Sequence, residues 1–366
     1  MYLQKKDDIS PSLFNLYGKI QILHFPASFF THSGCRVSLD TLIGIGALPL
    51  LTEFSPTKTL VTQVKFGSRR MSDISEPYVI HYPWICAVSD TACSQVELIE
   101  CFDCIGGAMW VKRHYAQSPL VEDVRTVGST NRFLLRTGEV DLALEGSKFP
   151  AGISRVRASK DEISISYIGM GGGGVGATIC RASAAGVLRS DYEESGGGKL
   201  AGSTIVLPRL SRVLIGVDDT DTPEQGATWT LVHNIARTVA DESSRYLSHT
   251  IVQLFPVPFR TKNCVGVVAE FASSDPDGLS RRFSELLMRY TLSKETGMAV
   301  FCGFSPDRLL DFGWMTKSGQ VSPDEARALA GDDLKIWING RGITGAIAAI
   351  PFYTRYDEGL RLCGQS

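Results

Sequence analysis

At 366 residues, 43% hydrophobic and 21% charged, the chain is two to three times the usual domain length and globular in composition, which excludes a single small module, a wholly disordered chain and a collagen-like one. Residues 1–70 carry eight Lys/Arg and four Asp/Glu, a net +4, so with −2 overall the remainder carries −6; a body of that sign does not hold a nucleic-acid duplex by non-specific phosphate neutralisation. Nine cysteines without framework spacing read as reduced thiols in a cytoplasmic protein, and no apolar run approaches the ~18 residues of a membrane span.

Residues 1–70 show scattered aromatics and Ser/Thr clusters with no sustained period of 3.6 or 2, so they are expected to be a poorly patterned leader, disordered or a mis-annotated start with translation opening at Met71. From 71 to 205 the chain alternates as half-buried strands do, with strands expected at Tyr78–His81, Ile85–Val88, Arg132–Arg136 and Glu162–Ile168. Gln95–Phe102 fits a short helix or a strand. Cys101 and Cys104 form a lone CxxC with no second pair, which argues for buried thiols over a zinc site. Between Gly169 and Gly176 stand six glycines, followed by a helix expected over Ala177–Arg189. Gly171, Gly172, Gly173 and Gly174 are candidates to cradle a ligand's anionic group, with a flexible hinge as the competing reading. Asp191–Gly202, with glycines at 196–198, reads as a linker or a mobile loop closing this domain.

From Ser211 the pattern becomes strand, acidic turn, helix. Val213–Val217 is a continuous apolar run of the kind buried on both faces, and Ala227–Glu242 carries Leu231, Ile235 and Val239 on one helical stripe. Between them lie Asp218, Asp219, Thr220 and Asp221. Three carboxylates within four residues repel one another unless a cation, donors or water compensate. Mg²⁺ suits that role because it takes one or two carboxylates plus substrate phosphates; an exposed acidic turn with Asp221 as a helix cap is the alternative. Thr228, at the start of the helix, sits where a phosphate is favoured, or serves as a polar first-turn residue. Strands at Thr250–Phe255 and Val265–Phe271 and a helix over Leu279–Tyr290 follow.

These residues carry a resemblance. Val213–Leu231 is similar to the opening of the kinase domain of the archaeal isoleucine-tRNA agmatinylcytidine synthetase: apolar strand, Asp-Asp-Thr-Asp box, and a Thr ten residues after the first Asp. Phe255–Asn263 and Asn339–Ile350 resemble two later blocks of that domain, in the same order. Together with the unlike region before it, the chain resembles the methanogenesis marker protein 11 family. The resemblance implies that Asp218, Asp219 and Asp221 handle ATP and Mg²⁺, that Thr228 is a site of phosphorylation, and that Arg260, Lys262, Gly340, Arg341 and Gly342 bind the nucleotide. The expected fold is α/β (α+β) in two domains, a glycine-looped α+β domain over 71–205 and a kinase-like ATP-binding domain over 211–360. The expected activity is an ATP- and Mg²⁺-dependent phosphotransferase acting on an RNA base or a protein. The alternative is a non-catalytic nucleotide-binding assembly factor for methyl-coenzyme M reductase maturation, suggested by the family's distribution.

Overall fold

The computed structural model describes residues 76–261 and 263–362, which belong to one compact unit; the expected leader over 1–70 and Lys262 lie outside the described residues. The first half contains β1 (Trp84–Ser89), β2 (Gln95–Cys101), α1 (Ile105–Tyr115), β3 (Val121–Val127), β4 (Thr130–Arg136), β5 (Gly138–Glu139), β6 (Ala151–Ala158), β7 (Glu162–Met170), α2 (Gly172–Ala177), α3 (Ile179–Ala182) and β8 (Arg189–Tyr192). β9 (Leu200–Asp218) leads into α4 (Thr228–Val239), β10 (Ser244–Gln253), β11 (Val265–Ser273), α5 (Pro276–Tyr290), β12 (Gly297–Cys302), α6 (Leu310–Ser318), α7 (Pro323–Arg327), β13 (Leu334–Asn339), α8 (Ile343–Ala349) and α9 (Tyr356–Leu360). The protein is thus α/β, as the alternation of patterns implies.

β9 organises the molecule. Its first part alternates buried and half-buried residues and pairs with β7 and β8; its last eight residues pair with β11 on one side and β12 on the other. β1 joins it in parallel at Arg209 and Leu210. The boundary expected between 205 and 211 therefore falls inside a single 19-residue strand. Pro208, Arg209 and Arg212 interrupt its apolar pattern, so one strand reads as two. Each half nevertheless has its own core: one gathers Ile85, Leu98, Phe133, Ile165 and Tyr167, and the other two lie on opposite faces of the sheet ordered β10-β11-β9-β12-β13.

Several expected elements differ. Gln95–Cys101 is a strand because residues 96–100 are buried throughout, covered on both faces. Tyr78–His81 is not a strand. The helix expected over 177–189 stops at Ala182, since Gly186 takes φ +100° with its Cα against the carbonyl of Ile85, a conformation a side chain would not tolerate. Asp191–Gly202 is the turn of the β8–β9 hairpin and the strand ends that flank it, not an interdomain linker.

The halves meet at a buried square of charge. Arg132 grips Glu270 through two hydrogen bonds of 3.0 and 2.5 Å and reaches Glu97 at 3.4 Å, while Arg212 reaches Glu270 at 3.3 Å and also bonds Glu97. All four side chains are at most 8% exposed. Burial pushes the Glu270 carboxyl upward, but Arg132 and Arg212 outweigh it and hold the group ionised, below its ordinary range. Arg132→Ala leaves Glu270 and Glu97 short of a partner and is expected to destabilise the fold by about 3–5 kcal/mol, read as a lower urea midpoint at unchanged slope.

A half-buried group is shifted in the same direction, but toward its neutral form. His249 on β10 lies against His233 of α4, with ring centroids 5.7 Å apart, and burial, then the neighbouring imidazole, lowers its pKa to about 4. The unfolded chain binds the proton near 6.5. Stability from the neutral ring is therefore complete above about 6.5 and is lost as pH falls toward 4. His249→Gln is expected to flatten that limb of the pH–stability profile measured by urea unfolding.

Candidate functional site

α8 is seated unusually deep on the sheet, and glycines are the reason. A Cβ built on Gly216 of β9 would stand 2.0 Å from the Ala346 carbonyl oxygen, one on Gly266 of β11 2.4 Å from that of Gly345, and one on Gly297 of β12 2.1 Å from the Ile343 nitrogen. Three neighbouring strands thus surrender their side chains so that helix backbone meets sheet backbone. The start of α8 is thereby delivered to the end of β9: the Cα of Gly342 faces the Asp218 carbonyl, and a Cβ on Gly345 would sit 1.8 Å from Asp218 Oδ2.

The acidic box is held by threonines. Asp219 adopts φ +55°, a left-handed conformation Asp tolerates better than most residues, and its N–H donates to Asp218 Oδ1 at 2.7 Å. The Asp219 carbonyl accepts from Thr296 Oγ1 at 3.0 Å, and that of Thr220 accepts from Thr291 Oγ1 at 3.2 Å and the Leu292 N–H at 2.9 Å. Thr228 does not point into the cleft. Its hydroxyl is buried and accepts from the N–H and hydroxyl of Thr220, at 3.2 and 3.0 Å. Its hydroxyl thereby fixes the turn.

Asp218 and Asp219 face a cavity of about 190 Å³ that is also lined by Phe259, Arg260, Asn263, Arg341, Gly342 and Thr344. Asp221 turns away from it, its carboxylate accepting from Thr261 at 3.4 Å, and Gly340 packs against Glu295 and Thr296. The glycine run does not join this site: Gly171, Gly172 and Gly173 line a separate cavity in the first half, and Gly174 is buried in α2. Sequence reasoning missed Thr344, Phe259, Thr291 and Thr296. Thr344 and Phe259 lie inside the two blocks that carry the resemblance, whereas the two threonines have no local signal.

Electrostatically the two acids of the cavity are only partly compensated, by Arg341. Burial, then the charge of Asp219 and of Asp221, raises the Asp218 pKa well above the carboxylate range; burial also raises Asp219, opposed by Arg341. Arg341 Nε stands 3.6 Å from Asp219 Oδ2, beyond hydrogen-bonding distance, with its guanidinium 4.7 Å over the Phe259 ring. Arg341 Nε and Thr344 Oγ1 are shut off from solvent without a hydrogen-bond partner. Arg341 is the cation set against the two crowded acids, and two donors lack a hydrogen-bond acceptor, which suits a ligand that brings anionic oxygens together with a divalent ion. Among the described residues no three His, Cys, Asp or Glu side chains are arranged to hold a metal ion, so such an ion would depend on ligand oxygens to complete its shell.

Residues 214–301 match the family model described as the TiaS TCKD domain. The chain is 37% identical over 295 residues to the protein MJ0921 of Methanocaldococcus jannaschii, described as uncharacterized; the match covers 78% of this chain and 98% of that one. It is also similar to solved structures: a TiaS–tRNA–ATP complex, 20% identical with a TM-score of 0.35 over 38% of this chain and 36% of that one, and a TiaS–tRNA–AMPCPP–agmatine complex, 21% identical with a TM-score of 0.34 over the same shares. The chain spans about a third of the length of those solved structures.

Gly→Ala within a helix ordinarily stabilises by up to about 1 kcal/mol. At Gly345 the sign is expected to reverse: the added methyl overlaps Asp218 Oδ2, lowering stability by about 1–3 kcal/mol and displacing the carboxylate. Chemical unfolding checks the first effect, and ligand titration the second.

Proposed function

This chain belongs to the family of the Methanocaldococcus jannaschii protein MJ0921, and we propose that it is an ATP- and Mg²⁺-dependent phosphotransferase. The observation that carries the proposal is the pairing of crowded, desolvated Asp218 and Asp219 with Arg341 Nε and Thr344 Oγ1, both buried without a hydrogen-bond partner, around one cavity. The TiaS TCKD match over the same strands supports it, since solved TiaS structures hold ATP or AMPCPP with tRNA. In this reading Asp218 and Asp219 hold Mg²⁺, which supplies neutralisation of phosphate charge when bound. Arg341 donates to phosphate oxygens while Phe259 fixes its plane, and Arg260 adds a second cation at the rim. Lys262, between Arg260 and Asn263, is a further candidate. Gly342 and Gly345 keep side chains out of the approach to Asp218. Transfer of the γ-phosphoryl depends on positioning and charge stabilisation more than on covalent help from the protein, which is consistent with Thr228 serving as a brace. We favour an RNA base as acceptor, on the strength of the TiaS TCKD match.

Titration of the full chain with ATP and Mg²⁺ is expected to show saturable binding. Asp219→Asn and Arg341→Ala are each expected to weaken it about ten- to hundredfold, the worth of charge-assisted contacts. γ-Labelled ATP is expected to transfer label to RNA in a cell extract. Absence of ATP binding, or affinity indifferent to both substitutions, refutes the nucleotide site. Binding without transfer to RNA or protein favours the assembly-factor reading.

A further inference from the structure

The glycine run builds a site of its own. Its cavity, about 750 Å³, is within the range of small-molecule pockets and shares no lining residue with the Asp-box cavity. α1 supplies one wall, with the Trp110 and His114 rings in tilted contact at 4.3 Å between centroids, and Tyr78, Tyr82 and Phe102 bring further rings. Among the described residues no Asp, Glu, Lys or Arg lines it. Arg181, beneath the Tyr82 ring, is fully engaged by Glu100 and by the Gly176 carbonyl. The expectation that this loop receives an anionic group therefore does not fit its surroundings.

Two features point to an occupant. His114 Nδ1 is buried without a hydrogen-bond partner, a costly state that a ligand donor or acceptor would relieve. The glycines divide into two kinds. Gly169 and Gly173 are demanded by the fold, because a Cβ on either would meet backbone within 3 Å. Gly172, Gly176 and Gly198 are not: their φ angles are ordinary and a Cβ would find no atom within 4 Å. All three line the cavity. Gly172 and Gly176 lie in α2, where glycine weakens the helix. Among the described residues no packing asks for those missing side chains, and the space they leave is the cavity.

We propose that this cavity binds a planar, uncharged heteroaromatic ring of the nucleobase class, stacked against Trp110 and hydrogen-bonded to His114 Nδ1. Rings supply a stacking platform that accepts any base, and a single polar atom orients it. The site is independent of the nucleotide reading above. The base comes from a free nucleoside or from single-stranded RNA.

The test is calorimetric titration of the full chain with adenosine, cytidine, guanosine and uridine separately, and with a short single-stranded RNA, run in parallel on Asp219→Ala. We expect at least one probe to bind, equally well to Asp219→Ala. Gly172→Leu and Gly176→Leu are expected to lower affinity at least about tenfold with no fall in melting temperature. His114→Phe keeps the stack and is expected to erase preference among bases. Nucleoside binding identifies a small-molecule site, and RNA binding without nucleoside binding identifies a strand site; either supports the proposal. It is overturned if no probe binds, if binding disappears in Asp219→Ala, or if both leucine variants fold and bind as the parent does. Should the leucine variants fail to fold, Gly198→Leu, in the hairpin turn, applies the same criterion.

Discussion

The second half of the protein depends on direct backbone contact between α8 and the sheet. An α-helix normally rests on a sheet through side chains, at a spacing those side chains set. Here Gly216, Gly266 and Gly297 remove them from three adjacent strands, and Gly345 and Ala346 remove them from the helix. The close approach brings the turn before α8 level with the end of β9, so Arg341 and Thr344 stand beside Asp218 and Asp219. A larger residue at any of these positions would lift the helix and separate the two sets of charges. Geometry at the site is thus set by packing beneath it, and the polar residues inherit their positions from apolar constraints.

A second constraint ties the halves together. Because β9 continues from the first sheet into the second, the residues around its midpoint must satisfy both cores. Arg212 is the outcome: it is buried, bonded to Glu97 of β2 and Glu270 of β11, and lies under the Tyr353 ring at 5.1 Å. Burying four charges is expensive, and an apolar replacement of equal volume would cost less. What the square supplies is register. A one-residue slip of β9 would turn Arg212 to the opposite face and strand Glu97 and Glu270, so the arrangement penalises mispairing of a strand whose two parts have different partners.

The local signals proved legible in the amino-acid sequence and the distributed ones did not. Val213–Val217 reads as a doubly buried strand and is one; α4, β11 and α5 fall where periodicity places them. The acidic box and the Gly-Arg-Gly segment are recognisable because each is contiguous. Gly216, Gly266 and Gly297 are not, since each is a lone glycine in an apolar strand and their common purpose exists only once β9, β11 and β12 are side by side. Thr291 and Thr296, which brace the box from beyond α5, are invisible for the same reason. Counting carboxylates does not say which of them face the cavity: Asp218 and Asp219 line it, while Asp221, close enough for its charge to act on both, accepts from Thr261.

The left-handed conformation of Asp219 carries a further consequence. Holding a non-glycine residue there costs about 1–2 kcal/mol, and the surroundings over-determine it, because Thr296, Thr291, Leu292 and Thr228 anchor the peptides on either side. Two carboxyls pressed together and partly desolvated raise the cost again. A fold that sustains both has fixed the direction of the carboxyls in advance, which in the nucleotide-binding reading would spare association their reorientation. The same rigidity explains why the threonine hydroxyls are bonded: Thr228, Thr291 and Thr296 each give theirs to the backbone or side chains of the turn, so the polar groups that hold the box are distinct from Asp218 and Asp219, which face the cavity.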